Sequence, residues 1–271
     1  MNGIMPSADL VTEIELSEID YMSNRMEAIQ NRPNNPEGAE VRRFGNAVCY
    51  YSKTMPWPSF NTVKGLRSED IEQFDSILDF YQARDRKAQF EIVPSFANQK
   101  LLRALADRGY YQSGFHNSLY MEPKWFGDEE TDSGSIRIEA LREDQINLYA
   151  AIHCKGTGLP DGGIPHVAQN NKVLLEQYEW SFYLAYYDDV PAAVGVMFMK
   201  DGTASLTFAA TLPEFRGKGL QQALLKHRVS EAYRHDCRLV VGQCAFLSQS
   251  HRNMERIGMK LGYVRTTWTK V

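Results

Sequence analysis

Apolar residues recur at helical spacing in two stretches of the first half of the chain. Ile14, Ile19 and Met22, with Met26 just beyond, share one face of residues 10–25, and Phe74, Ile77 and Leu78 do the same in residues 71–81. Each stretch predicts an amphipathic helix. Residues 47–51, 88–93 and 115–121 are short and rich in aromatic or β-branched side chains, which predicts strands. The first half therefore has the character of an α plus β domain.

In the second half the pattern predicts a strand over 136–140, a helix over 142–152, a Gly- and Pro-rich loop over 156–165 (GTGLPDGGIP) and a helix over 168–177. Three strand-like runs follow at 180–187, 192–199 and 203–212. The turn signals between them, at 188–191 and 200–202, predict an antiparallel meander. At Leu220 the period becomes helical, with Leu224, Leu225, Val229 and Ala232 apolar. A strand at 238–244, a helix at 248–257 and a last strand at 264–269 complete the order.

Residues 122–135 (EPKWFGDEETDSGS) gather Pro, Gly, Ser and acidic residues without periodicity, so the domain seam is expected there. The division that follows is a first domain over 1–125, a linker over 126–135 and a second domain over 136–271. A faint repeat crosses the seam. Residues 91–109 run strand, break, helix and a Gly-aromatic pair; residues 240–258 run in the same order at the same spacing, so that Gly109-Tyr110 corresponds to Gly258-Met259.

Composition narrows the function classes. Apolar residues make up 43% and charged ones 24% of the 271, which describes a folded globular chain. The net charge of −4 and the absence of a Lys/Arg block argue against a nucleic-acid partner. Apolar runs such as 192–198 fall well short of the ~20 residues of a membrane helix. The polar N-terminus is unlike a secretory signal, so the expected location is cytoplasmic. Cys49, Cys154, Cys237 and Cys244 are too scattered for a zinc knuckle or a disulfide framework, and no metal is expected. Cys244, inside an apolar strand, is expected to be an inert thiol.

The chemistry concentrates in residues 211–225 (TLPEFRGKGLQQALL), where a strand ends near Pro213, a Gly-rich loop passes and a helix opens at Leu220. A helix N-terminus presents unpaired backbone N–H groups and partial positive charge, and glycines let a phosphate approach them. Arg216 and Lys218 would add full charge beside a bound diphosphate.

RGKGLQ, comprising Arg216, Gly217, Lys218, Gly219, Leu220 and Gln221, resembles the coenzyme A signature R/Q-x-x-G-x-G/A of the GNAT acetyltransferases, departing from it only where Gln221 replaces a small residue. The resemblance implies an α/β (α+β) fold, with a mixed, mostly antiparallel sheet flanked by helices, in two GNAT-like domains. The first copy, lacking the signature, would be degenerate. It implies acetyl-CoA as co-substrate, with Thr211 and Leu212 offering backbone groups to the pantetheine arm. Residues 248–256 (SQSHRNMER) resemble the S-x-R-N-x-E-R run of one GNAT subgroup and add Ser250 and Asn253 to the coenzyme site. The expected reaction is direct acetyl transfer to an amine of a small molecule or peptide.

The catalytic groups stay unassigned. Many family members carry a tyrosine acid where counting back from Gly258 places Met254, which cannot donate a proton. Ser250 and Asn253 are candidates to orient the thioester or a water. His153, Asp161 and His166 are candidate bases for the amine. The aromatic stretch 50–60 (YYSKTMPWPSF) is expected either to pack on its own core or to wall an acceptor pocket. Two other function classes fit the resemblance: a non-catalytic acyl-CoA-binding or sensor module, and a tandem-GNAT aminoacyl transferase working on charged tRNA. A second copy of the chain, as a homodimer, is a further candidate partner.

Overall fold

The computed structural model describes residues 4–55, 57–127 and 135–270. Most of the expected linker, residues 128–134, lies outside the described residues. From the N-terminus come α1 (Ala8–Gln30), β1 (Glu40–Phe44), β2 (Ala47–Tyr51), β3 (Thr62–Lys64), α2 (Phe74–Gln82), β4 (Gln89–Ile92), α3 (Gln99–Asp107) and β5 (Tyr110–Met121). Then follow β6 (Ile136–Ala140), α4 (Ile146–Thr157), α5 (Ile164–Leu175), β7 (Trp180–Tyr187), β8 (Val190–Lys200) and β9 (Thr203–Thr211). The chain ends with α6 (Leu220–Arg234), β10 (Leu239–Cys244), α7 (Gln249–Arg256) and β11 (Lys260–Lys270). This is the mixed, mostly antiparallel α/β fold that the resemblance implied. Among the described residues no helix is long and apolar enough to cross a membrane.

The chain divides into two compact units, and the division differs from the expected one. Pro6–Ser118 forms one unit together with Leu261–Val271, while Leu119–Lys260 and the first five residues form the other. The seam thus falls at residue 118 rather than at 126–135, and β11, expected in the second domain, belongs to the first-half unit. The reason is pairing. β11 runs antiparallel to β4, with Thr266 opposite Ile92 and Trp268 opposite Phe90. Its Tyr263 donates to Glu18 Oε1 of α1 at 3.1 Å, and Arg265 forms ion pairs with Glu18 and with Glu91, the latter at 2.9 Å. Lys64 of β3 joins the same buried cluster through Glu91 and, at 3.6 Å, through Glu18.

In that unit Tyr50, Tyr51 and Met55 of the stretch 50–60 are buried, whereas Trp57 is exposed. Tyr50 is fully buried, its hydroxyl donates to Ile19 O at 3.0 Å, and Tyr81 donates to Tyr50 O at 2.8 Å. The faint repeat is also real in the fold. β4–α3–β5 and β10–α7–β11 have the same order, and both Gly109 (φ 79°) and Gly258 (φ 99°) end their helices in the left-handed conformation that favours glycine.

In the other unit β6, β7, β8 and β9 pair antiparallel in sequence order, and β10 adds parallel to β9. Both meander turns have two successive left-handed residues, Asp188-Asp189 (φ 47° and 61°) and Asp201-Gly202 (φ 48° and 75°). Such turns match the twist of the flanking strands, which fixes the hairpins where the turn signals placed them. Helix α6 buries Leu224, Leu225, Val229 and Ala232 against this sheet. The expected loop 156–165 is shorter in the structure. Helix α4 continues to Thr157 and stops at left-handed Gly158, while Pro165 lies in the first turn of α5 rather than before it, a position where its missing N–H costs nothing.

Candidate active site

Three features of β9, β10 and α6 make an open cleft. The β9–β10 pairing stops at Leu206 and Gly242, although β9 continues to Thr211 and β10 to Cys244. Next, β9 carries a bulge: Val194 faces Ala210 and Val196 faces Thr207, so the single residue Gly195 opposes both Phe208 and Ala209. Finally, α6 opens at Gly219 (φ 85°), just after Gly217 (φ 79°), and no side chain caps its first turn. Among the described residues no side-chain oxygen caps its leading N–H groups.

The cleft has a volume of about 620 Å³. Its walls include the strand end Ala209 to Thr211, the loop glycines, and one face of α7 formed by Gln249, Ser250, Asn253 and Arg256. Among the described residues, the charged side chains lining it are Arg216 and Arg256, and no carboxylate lines it. Positive groups, exposed amides and missing counter-anions together suit an elongated anionic ligand.

Most of the residues expected to bind a coenzyme come together here. Thr211, Arg216, Gly217, Gly219, Leu220, Gln221, Ser250 and Asn253 all line the cleft. Two do not. Leu212 has its N–H bonded to Ala192 O at 2.9 Å and its carbonyl accepting from Phe215 N at 3.0 Å, so its backbone is engaged within the fold. Lys218 turns aside, with Nζ over the Tyr187 ring at 4.2 Å. Arg216 is exposed and donates to Gly156 O at 2.9 Å, which ties the Gly-rich loop to the last turn of α4. Gly156 also lets α4 lie close against the end of β9, because a Cβ there would sit 2.9 Å from Ala210 Cβ and 3.1 Å from Thr211 O.

Gln221, the departure from the signature, reaches across to α7. Its Nε2 donates to Ser250 Oγ, and its Oε1 accepts from Asn253 Nδ2 at 2.7 Å. Asn253 Oδ1 accepts in turn from Arg256 at 2.7 Å and from Gln249 at 3.1 Å. Sequence reasoning missed Gln249 and Arg256; their spacing of three and four residues from Asn253 on one helix face was the available signal.

The candidate acid and bases stand apart from the cleft. Met254 is a core residue, 5% exposed, packed where a Cβ on Gly242 would lie 3.0 Å from its Cε. Neither His153, Asp161 nor His166 lines the cleft: His153 stacks on Tyr149 in α4 with ring centroids 5.8 Å apart, and Asp161 and His166 are exposed on the α4–α5 connection and the start of α5. Cys244 is buried in β10, which pushes its thiol up to about 11.

Comparison with known proteins agrees with this geometry. Residues 159–259 match the acetyltransferase (GNAT) family, a span that includes the whole Gly-rich loop and α7. No curated protein sequence matches the chain. Among solved structures, a GCN5-related N-acetyltransferase from Kribbella flavida is similar at 16% identity and a TM-score of 0.66, covering 93% of this chain and 94% of that one. A tandem GNAT protein from the clavulanic acid biosynthesis pathway is 13% identical with a TM-score of 0.62, covering 98% and 96%. A GCN5-related N-acetyltransferase from Sphaerobacter thermophilus, 15% identical, has a TM-score of 0.61 over 86% and 75%. At these identities the likeness is one of fold. With the family match, the split strands and the open helix end in one place, residues 159–259 carry a domain of the acetyltransferase (GNAT) family.

Proposed function

We propose that the chain transfers an acetyl group from acetyl-CoA to an amine of a small molecule or peptide. The observation that carries this reading is the uncapped N-terminus of α6, entered through left-handed Gly217 and Gly219, opening on a cleft lined by Arg216 and Arg256 and by no carboxylate. The diphosphate of the co-substrate would sit against the amides of residues 217–221, and the pantetheine arm would run along β9 beyond Leu206, where β10 no longer pairs. The thioester supplies the activated acetyl group. A neutral amine attacks its carbonyl carbon, the C–S bond breaks, the nitrogen gives up one proton to water and the departing thiolate takes one from water, since Met254 is buried and holds no transferable proton. Cys244 is buried and protonated, which disfavours an acyl-enzyme route.

One observation favours a second reading. None of the candidate bases lines the cleft, which fits a module that binds acyl-CoA without turning it over. An amine-panel assay separates the two: acetyl-CoA consumption dependent on an added amine supports transfer, whereas tight binding without turnover across the panel supports the binding module.

A further inference from the structure

Arg228 of α6 carries a full charge where an aliphatic side chain would pack. It is 1% exposed, and burial pushes its guanidinium down to about 10, with only the Tyr183 phenol acting against that shift. Among the described residues no carboxylate forms an ion pair with it. A buried charge of this kind opposes stability unless its hydrogens find good acceptors.

The acceptors are main-chain oxygens around the β9 bulge. Nε donates to Leu224 O at 3.0 Å, and one terminal nitrogen donates both to Val196 O at 2.8 Å and to Thr207 O at 3.2 Å. Val196 and Thr207 face each other as the last pair before the bulge. Gly195, the single residue opposite it, makes room for the guanidinium: a Cβ there would sit 3.2 Å from Arg228 Cζ and Nε. On the far strand Phe208 is held at φ 35°, a conformation that a bulky residue adopts only when its surroundings impose it. Immediately beyond, Ala209, Ala210 and Thr211 line the cleft.

We infer that Arg228 is a positioning residue of the acyl-transfer site: seated in the space left by Gly195, it holds the carbonyls of Val196 and Thr207 and so maintains the bulge that presents the backbone of residues 209–211 to the cleft. A bulge offsets the side-chain alternation by one residue, so its loss would reverse which face residues 209–211 present. The diphosphate anchor is the opening of the same helix, about two turns before Arg228, and none of the carbonyls that Arg228 holds, those of Leu224, Val196 and Thr207, belongs to it. Disturbing Arg228 should therefore misplace the reacting end of the ligand while leaving its phosphate end held. The inference rests on the reading of the cleft as an acetyl-CoA site.

The test uses the full-length chain as wild type, Arg228→Met, and Gly195→Ala, which crowds the guanidinium without removing it. Turnover and acetyl-CoA binding are measured first on the wild type, so failure of the functional reading appears before any substitution is considered. Amide chemical shifts of residues 209–211 then report the bulge in each variant, with or without activity. The expected result is a fall in kcat of about tenfold to a hundredfold, as for a reacting group misplaced by about an ångström, with KM for acetyl-CoA changed by less than about threefold and the three amides shifted. A folded Arg228→Met protein with kcat within about twofold of wild type and unmoved amides would overturn the inference. If Arg228→Met does not fold, the same criterion applied to Gly195→Ala decides.

Discussion

Asn253 donates from Nδ2 to Gln221 Oε1 at 2.7 Å, joining the last position of the RGKGLQ loop to the α7 face that lines the cleft. The polarity of this link is forced. Arg256 is donor-only, so the Asn253 atom it meets must be the oxygen, which turns the Asn253 amide nitrogen toward Gln221 and the Gln221 nitrogen toward Ser250. Ser250 must then accept from Gln221, leaving its own hydroxyl hydrogen for another partner.

The first prediction follows from this chain of donors. Gln221→Ala restores the small residue of the family signature yet strips Asn253 and Ser250 of a partner, so it should destabilise the fold by about 1–2 kcal/mol. Urea unfolding measures it. An equal or higher midpoint would mean that the network contributes nothing.

Met254 leads to a second prediction. Because its side chain packs against Gly242 and Met259 rather than lining the cleft, Met254→Tyr should overpack the core by about 1–3 kcal/mol and leave kcat no higher. Thermal melts and turnover check both halves. An unchanged melt with raised kcat would place the phenol in the site after all.

The third prediction concerns β11. Arg265→Ala leaves Glu18 and Glu91 buried with much of their positive partnership gone, and should cost about 3–5 kcal/mol in denaturant unfolding. A loss under about 1 kcal/mol would show that strand pairing alone holds β11 in place.

Stability should also fall as pH drops below neutrality, in two stages. Burial first, and then the nearby Arg265 charge, push His116 down from its usual 6.5 to about 4. The unfolded chain therefore binds more protons between those values, and stability is lost as pH falls through that window. Glu91 acts lower. Although burial raises its pKa, Arg265 and Lys64 hold it down at about 2, so its contribution is present above 4.5 and is lost as pH falls toward 2. His116→Gln should flatten the upper stage only, a change on the order of 2–3 kcal/mol between pH 7 and pH 4 in unfolding free energy. An unaltered upper slope would mean that His116 is not the group responsible.

How far the sequence spoke depended on how local each signal was. The strands at 47–51, 136–140 and 180–187 and the helix opening at Leu220 have the expected edges, because turn residues and changes of period sit beside them. β1 and β3 escaped notice: β1 (EVRRF) carries three charged residues among its five, and β3 has only three residues, too few to show alternation. The placement of β11 was not legible, since a partner some 170 residues away leaves no local mark. Glu15 and Glu18 likewise pass for solvent-facing positions of α1, and only Arg67 beyond β3, Lys64 of β3 and Arg265 of β11 explain their burial. In the site, the glycines and Arg216 were readable from the motif, whereas the roles of Gln221 and Arg228 depend on carbonyls and amides brought in from other elements.

The most direct test of the central claim, that the open end of α6 holds the diphosphate of acetyl-CoA, is a calorimetric titration of acetyl-CoA into full-length wild type and Gln221→Glu. The carboxylate can still accept from Asn253 and Ser250, and an acid in the first turn of a helix is favourable, so the fold should melt at or above the wild-type temperature. It also sets a negative charge beside the anion. The expected result is one-to-one binding by the wild type and a dissociation constant raised about tenfold or more in the variant, which corresponds to at least ~1.4 kcal/mol. No binding by the wild type, or equal affinity in a folded Gln221→Glu protein, would contradict it.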